Sequence, residues 1–182
     1  MVVNTSLRVS GDFSSQKNLS IQLDAVVLAW VGLHRLGLEH HITQRLAPPD
    51  FLPAVGQGAL GLECRRNDEP VVALIKPLDD AVTHRAVLAE RATLAALEGG
   101  CSLPMAAWAR DVGENQVNLG SSTLAIDAAI FDPDGRDRVA ISLRGPREDP
   151  ETLGRRAAQN LLDHGAKPLL GRIGSRQEHP GA

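Results

Sequence analysis

An α/β segment followed by an α+β domain is the architecture this sequence predicts. Short Val- and Ala-rich apolar runs alternate with helical periodicity over residues 24–76. A long capped helix then runs to Gly99-Gly100, and beyond it come three stretches of looser apolar/polar alternation and a last amphipathic helix.

Residues 1–20 are polar and Ser/Asn-rich and read as a flexible lead-in. Asp24 to Trp30 is a Val-rich apolar run, consistent with a buried parallel strand. Leu33, Leu36, Leu38, Ile42 and Leu46 recur at helical spacing, so a helix is expected over Gly32 to Leu46, ended by Pro48-Pro49. Ala59 to Cys64 reads as a second strand with Cys64 in the core, preceded by the turn Gly56-Gln57-Gly58. Asn67 or Asp68 caps a short helix through Lys76, closed by Pro77. Asp79 and Asp80 cap the next helix, Ala81 to Leu97, with Val82, Ala86, Ala89, Thr93 and Leu97 on one face and Gly99-Gly100 as its stop.

Pro104 to Arg110, Val117 to Phe131 and Arg138 to Leu143 then suggest a three-stranded antiparallel meander, with Pro133-Asp134-Gly135 as a turn. Pro150 opens a final helix with Leu153, Ala157, Leu161 and Leu162 inward and Gly165 as its stop, and 171–182 read as a polar tail. The second half forms a self-contained unit. The first does not: two apolar strands and one crossover helix cannot cover both faces of a parallel sheet.

The 182 residues are 43% apolar, enough to bury a sizeable core. Nineteen Lys and Arg against 22 Asp and Glu leave a net charge of -3, with no basic block, which argues against a nucleic-acid partner. Aromatics are 3% of the chain and Tyr is absent, so a base-stacking or sugar-binding platform is not expected. Cys64 and Cys101 make neither a disulfide scaffold nor a zinc motif. The longest apolar run, Ala25 to Leu33, is far short of the roughly 20 residues a membrane span needs. The start of the chain lacks the pattern of a signal peptide. A cytoplasmic protein with no membrane partner is the expectation.

Two stretches can carry chemistry. In Leu97-Glu98-Gly99-Gly100-Cys101 the thiol follows a helix-ending Gly-Gly, with room beside the sulfur for a large group. A helix C-terminus is the wrong end for lowering a thiol pKa, which disfavours a protease-like nucleophile. A thiol forming one lasting covalent bond remains compatible; spacing alone favours a free Cys packed under a turn. In Pro53-Ala54-Val55-Gly56-Gln57-Gly58-Ala59, Gln57 offers an amide donor and acceptor between two glycines. The stretch is either a ligand-approach loop or a structural turn, and matches neither the dinucleotide fingerprint nor the P-loop. His34, His40, His41, His84 and His164 read as solvated helical residues. Glu90 and Arg91 either point toward the Cys loop or dress the surface of their helix, the surface being favoured. A thiol redox role lacks a resolving Cys at short spacing.

The stretches Leu23 to Ala29, Gly32 to Leu38, Leu52 to Arg65, Ala89-Glu90-Arg91-Ala92 and Leu97 to Cys101 together resemble the porphobilinogen deaminase (hydroxymethylbilane synthase) family. The Pro133-Asp134-Gly135 turn and Arg144-Gly145-Pro146 also fit. The resemblance implies head-to-tail condensation of four porphobilinogen molecules into hydroxymethylbilane with release of ammonia, in tetrapyrrole biosynthesis. It implies a dipyrromethane cofactor held by a thioether at Cys101, with Gln57, Gly100, Ala29 and Gly32 near it. Porphobilinogen and linear polypyrroles are the implied partners. It also implies partial periplasmic-binding-protein-like α/β segments at 21–77 and a complete cofactor-carrying α+β domain at 78–170, between a non-matching lead-in at 1–20 and a tail at 171–182. The family's acid/base aspartate and its Ser-x-Arg-Arg segment have no counterpart here, so no catalytic residue is assigned. The expectation is a truncated family member, inactive alone. The alternative is a non-enzymatic remnant, or a fragment that complements a polypeptide carrying the missing domains.

Overall fold

The computed structural model describes residues 2–4, 26–97, 103–112, 123–132 and 134–177. It divides into two compact units, Met1–Phe51 and Leu52–Ala182. Within the second unit Pro53, Ala54 and Gly56 pair with Ala107, Ala106 and Glu90. Gly99-Gly100, Cys101, 117–122 and Pro133 lie outside the described residues.

In the first unit, strand β1 (Val2–Asn4) is the middle strand of an antiparallel sheet. Its neighbours are β2 (Val26–Leu28) and β3 (Gln44–Arg45), with Val3 opposite both Val27 and Gln44. This corrects two expectations. Val2–Asn4 belong to a sheet rather than to a lead-in. The Val-rich run is antiparallel and half-open, with Val27 49% exposed. An apolar run encodes burial tendency, whereas strand direction depends on a partner that periodicity does not name.

Helix α1 (Trp30–Arg35) is much shorter than the expected Gly32–Leu46. Gly37 takes φ 67° and ends it: Leu38 N–H donates to Leu33 O at 2.9 Å and Gly37 N–H to His34 O at 3.1 Å. This is the paired 6→1 and 5→2 closure that a left-handed residue permits. A single 3₁₀ turn at Glu39–His41 follows. Leu33 alone of the helical leucines is buried, and Leu36 is exposed.

In the second unit, the expected strand Ala59–Cys64 does not form. Leu60 is 95% exposed, and Leu62 and Cys64 are also exposed. Among the described residues no partner strand is hydrogen-bonded to this run, and without one an apolar stretch has no ladder to join. Helix α2 (Glu69–Ile75) follows Asp68, which makes no side-chain capping hydrogen bond, and has Pro70 in its first turn; a 3₁₀ turn at Lys76–Leu78 then carries the chain through Pro77, the expected stop. Helix α3 (Ala81–Ala96) is capped by Asp80, whose carboxylate accepts from Val82 N at 2.9 Å and Thr83 N at 2.8 Å. Its buried positions are Ala89, Glu90 and Thr93, while Val82, expected inward, is half-exposed.

The meander is observed: β4 (Met105–Val112), β5 (Thr123–Phe131) and β6 (Arg138–Pro146) form an antiparallel sheet in that order. The register aligns Ala107 with Ala128 and Ile141, and Ala109 with Ile126 and Leu143. These inward residues meet α3 and α4 (Pro150–Leu161), which cover one face of the sheet. On the other face Arg110 lies over the Trp108 ring, 3.8 Å from its centroid, and Asp127 accepts from Arg110 and Ser142. Gly154 lets α4 approach α3 closely: a Cβ there would stand 2.2 Å from Ala89 O. Gly165, at φ 99°, ends α4 as expected, but the chain resumes as α5 (Lys167–Gln177). Residues 171–177 are therefore helical and the expected tail is corrected; Leu169, just before them, is buried and anchors α5 in the core.

Candidate functional site

The Gln57 turn is built on the free edge of β4. Ala54 bridges Ala106, and Ala107 N–H donates to Pro53 O at 3.0 Å, so 53–54 pair with the edge strand. The chain then turns away through Gly56 (φ 69°) and Gly58 (φ 85°), with Gln57 N–H on Ala54 O at 3.0 Å and Ala59 N–H on Gly56 O at 3.2 Å. Two positive φ values in three residues are why glycine flanks Gln57. Gln57 is exposed, and among the described residues nothing stands within 4 Å of a Cβ built at Gly56 or Gly58. The turn thus presents an amide side chain beside open space.

Glu90 holds this turn, which corrects its expected place on the helix surface. It is 6% exposed. One carboxylate oxygen accepts from Gly56 N–H at 2.8 Å and the other from Ala109 N–H at 2.8 Å. Burial pushes its carboxyl above the ordinary carboxylate range, and the two amide donors pull the other way. The sequence signal was available: 86, 90, 93 and 97 form an i, i+4, i+7, i+11 stripe, so Glu90 shares the inward face with Thr93 and Leu97. Arg91, one position on, is exposed.

Cys101 and Gly100 lie outside the described residues, but both flanks of their segment are placed. Leu97 is buried in the cluster formed by Met105, Ala107, Ile130 and Leu161, and Leu103 packs against the same cluster. Val55, two residues before Gln57, packs there too. The start and return of segment 98–102 and the Gln57 turn therefore share one anchoring core.

Ala29 and Gly32 belong to the other unit. Ala29 is the N-cap residue of α1 and accepts from Gly32 N–H at 3.1 Å. Both are exposed, and nothing lies within 4 Å of a Cβ at Gly32. The histidines are exposed as expected, though most have contacts. His34 stacks on Trp30 at 4.9 Å and pairs with Glu39, His84 meets Asp79 at 2.8 Å, and His164 meets Asn160 O at 2.8 Å. Among the described residues no cluster of His, Cys, Asp or Glu could hold a metal ion, and no helix is long and apolar enough to cross a membrane.

Residues 5–73 match the family model described as "Porphobilinogen deaminase, dipyromethane cofactor binding domain". Residues 84–163 match that described as "Porphobilinogen deaminase, C-terminal domain". The chain belongs to the porphobilinogen deaminase family. The first match takes in Ala29, Gly32 and Gln57, and begins within the segment 1–20 that the resemblance had set apart. The second takes in Glu90, Gly100 and Cys101. Curated relatives named porphobilinogen deaminase include those of Desulforudis audaxviator and Halalkalibacterium halodurans, each 41% identical over 151 residues. That of Syntrophobacter fumaroxidans is 41% identical over 150 residues. These alignments take in 83%, 82% and 82% of this chain and 46% of each relative. The chain spans about half the length of the curated relatives it matches.

Proposed function

We propose that this chain provides the C-terminal, cofactor-bearing part of a cytoplasmic hydroxymethylbilane synthase. The reaction joins four porphobilinogen molecules head to tail into hydroxymethylbilane and releases ammonia. Cys101 holds a dipyrromethane cofactor by a thioether, with Gln57 and Gly100 as its neighbours; Ala29 and Gly32 are cofactor-binding positions on the family resemblance alone. The observation that carries this reading is the shared core of Val55, Leu97 and Leu103, which ties the Gln57 turn to both flanks of the Cys101 segment.

The residues present fit such a group. Gln57 stands exposed on a turn with no described residue within 4 Å of a Cβ at either flanking glycine, which suits a flat, hydrogen-bonding ligand. Its side-chain amide would orient the group by donating to a carboxylate or accepting from a pyrrole N–H. Gly100, which has no side chain, adds no bulk next to Cys101 along the sequence. When bound, the cofactor supplies the pyrrole terminus that primes the chain. The thiol's part is to tether, which makes each later encounter effectively intramolecular. The first unit and residues 52–77 are read as parts of periplasmic-binding-protein-like α/β domains. No Ser-x-Arg-Arg segment occurs in these 182 residues. Turnover by this polypeptide alone is therefore expected to fall below detection, since substrate positioning and proton transfer each supply orders of magnitude in rate.

The exposed Leu60, Leu62, Leu74 and Leu78 favour a second reading, in which the chain complements a partner polypeptide or persists as a non-enzymatic remnant. The test is the intact mass of the purified chain with peptide mapping of Cys101. A gain equal to two linked pyrrole units on that peptide supports the cofactor reading. An unmodified Cys101 after incubation with porphobilinogen or hydroxymethylbilane refutes it for this chain.

A further inference from the structure

We propose that Glu90 is the positioning residue that fixes the Gln57 turn to the edge of β4, so that Gln57 meets whatever Cys101 carries in one fixed orientation. The inference rests on the cofactor reading above and deepens it.

The argument starts from the edge of the sheet. β4 is an outer strand, so every second amide along its free edge needs a partner. Pro53 supplies one for Ala107 at 3.0 Å. The turn then leaves the strand, and the next edge amide, Ala109, takes a Glu90 oxygen at 2.8 Å. The side chain stands where a continued partner strand would have placed a carbonyl. Satisfying Ala109 alone would require only one neutral acceptor, or water at an edge. A carboxylate in a site 6% exposed carries a desolvation cost that one amide does not balance. The second oxygen accounts for the choice of glutamate, since it accepts from Gly56 N–H at 2.8 Å. Gly56 is the residue immediately before Gln57 and the first at positive φ, 69°. One rigid group on α3 therefore sets the height of the edge strand and the exit angle of the turn. The turn's own backbone closure is the 54–57 and 56–59 hydrogen bonds, which fix its shape but not its attachment to α3. Glutamine at 90 would turn an NH₂ group toward one of the two N–H donors and keep only one contact.

The experiment uses the full 182-residue chain as wild type, Glu90→Gln and the surface control Glu151→Gln. Amide hydrogen exchange by NMR and the mass of the Cys101 peptide are read on each. Gly56 and Ala109 amides should exchange at least about tenfold faster in Glu90→Gln, with the amides shared by β5 and β6 unchanged. The added mass on Cys101 should fall in that variant and stay at the wild-type level in Glu151→Gln. Unprotected Gly56 in wild type overturns the proposal. So does faster exchange in Glu90→Gln with full cofactor mass. If Glu90→Gln does not fold, Glu90→Asp, which keeps the charge but shortens the reach, takes its place with the same readouts. If wild-type Cys101 carries no added mass, the cofactor reading has failed, and the latch is then decided by the exchange rates alone.

Discussion

Replacing Gly154 with Ala should destabilise the C-terminal unit although alanine is the better helix former. A Cβ at this position would stand 2.2 Å from Ala89 O, 2.7 Å from Ala92 Cβ and 3.0 Å from Thr93 N. Two of these are backbone atoms of α3 and cannot swing aside, so α3 and α4 must separate. Overpacking of a close-packed interior costs about 1–3 kcal/mol, and backbone obstruction puts this site at the upper end, about 3 kcal/mol. Removing a helical glycine returns about 1 kcal/mol. The net loss is about 2 kcal/mol, which for a chain of this length lowers Tm by about 4–8 °C. Thermal unfolding followed by circular dichroism measures it. Gly171→Ala is the control, because nothing lies within 4 Å of a Cβ there, and its Tm should hold or rise slightly. A Gly154→Ala chain as stable as wild type would refute the close approach of the two helices. The approach bears on the site because α3 carries Glu90 and leads to the Cys101 segment.

Other outcomes follow from single groups. Hydrogen bonds from the amides of Thr83 and Val82 hold the Asp80 carboxyl below its ordinary value of 3.8. Asp80→Ala should therefore lower Tm at neutral pH, and its deficit relative to wild type should shrink as pH falls through the depressed value. For Glu90 the sign is opposite. Its folded-state carboxyl lies above the ordinary 4.5, chiefly from burial. Its ionisation contributes least strain below pH 4.5, and stability relative to Glu90→Gln should decline as pH rises through the raised value; a flat difference in urea midpoints between pH 4 and 8 would contradict this. Gln57→Ala touches an exposed side chain, so Tm should stay within about 1 °C while the added mass on Cys101 drops. Cys64, exposed, should react with a thiol reagent in the folded chain, as read by mass spectrometry.

Much of the second unit was legible in sequence because its signals are local. Asp80 caps its helix through amides two and three residues on, and Gly165 breaks the helical path after α4 by its own dihedral angle. The alternation of 105–146 records which residues face α3 and α4, and register follows from burying one face. The Gln57 turn was also legible, as a motif; Cys101, read in the same way, lies outside the described residues.

Other features depended on partners distant in sequence. Val2–Asn4 became a strand through residues more than twenty positions away, and Ala59–Cys64 found no strand partner among the described residues. Gly37, read only as part of a leucine-periodic stretch, broke that helix by taking φ 67°. Glu90 shows the difference most clearly. Its position falls on the inward stripe of α3, yet the helix surface was the place expected for a carboxylate, and it is buried. Only the packing of α3 on the β4 edge brought Gly56 and Ala109, 34 and 19 residues away, to its two oxygens. Local dihedral and capping preferences act within a few residues and are written in order along the chain. A buried charge is stabilised by whichever donors the fold delivers, and those are chosen by topology.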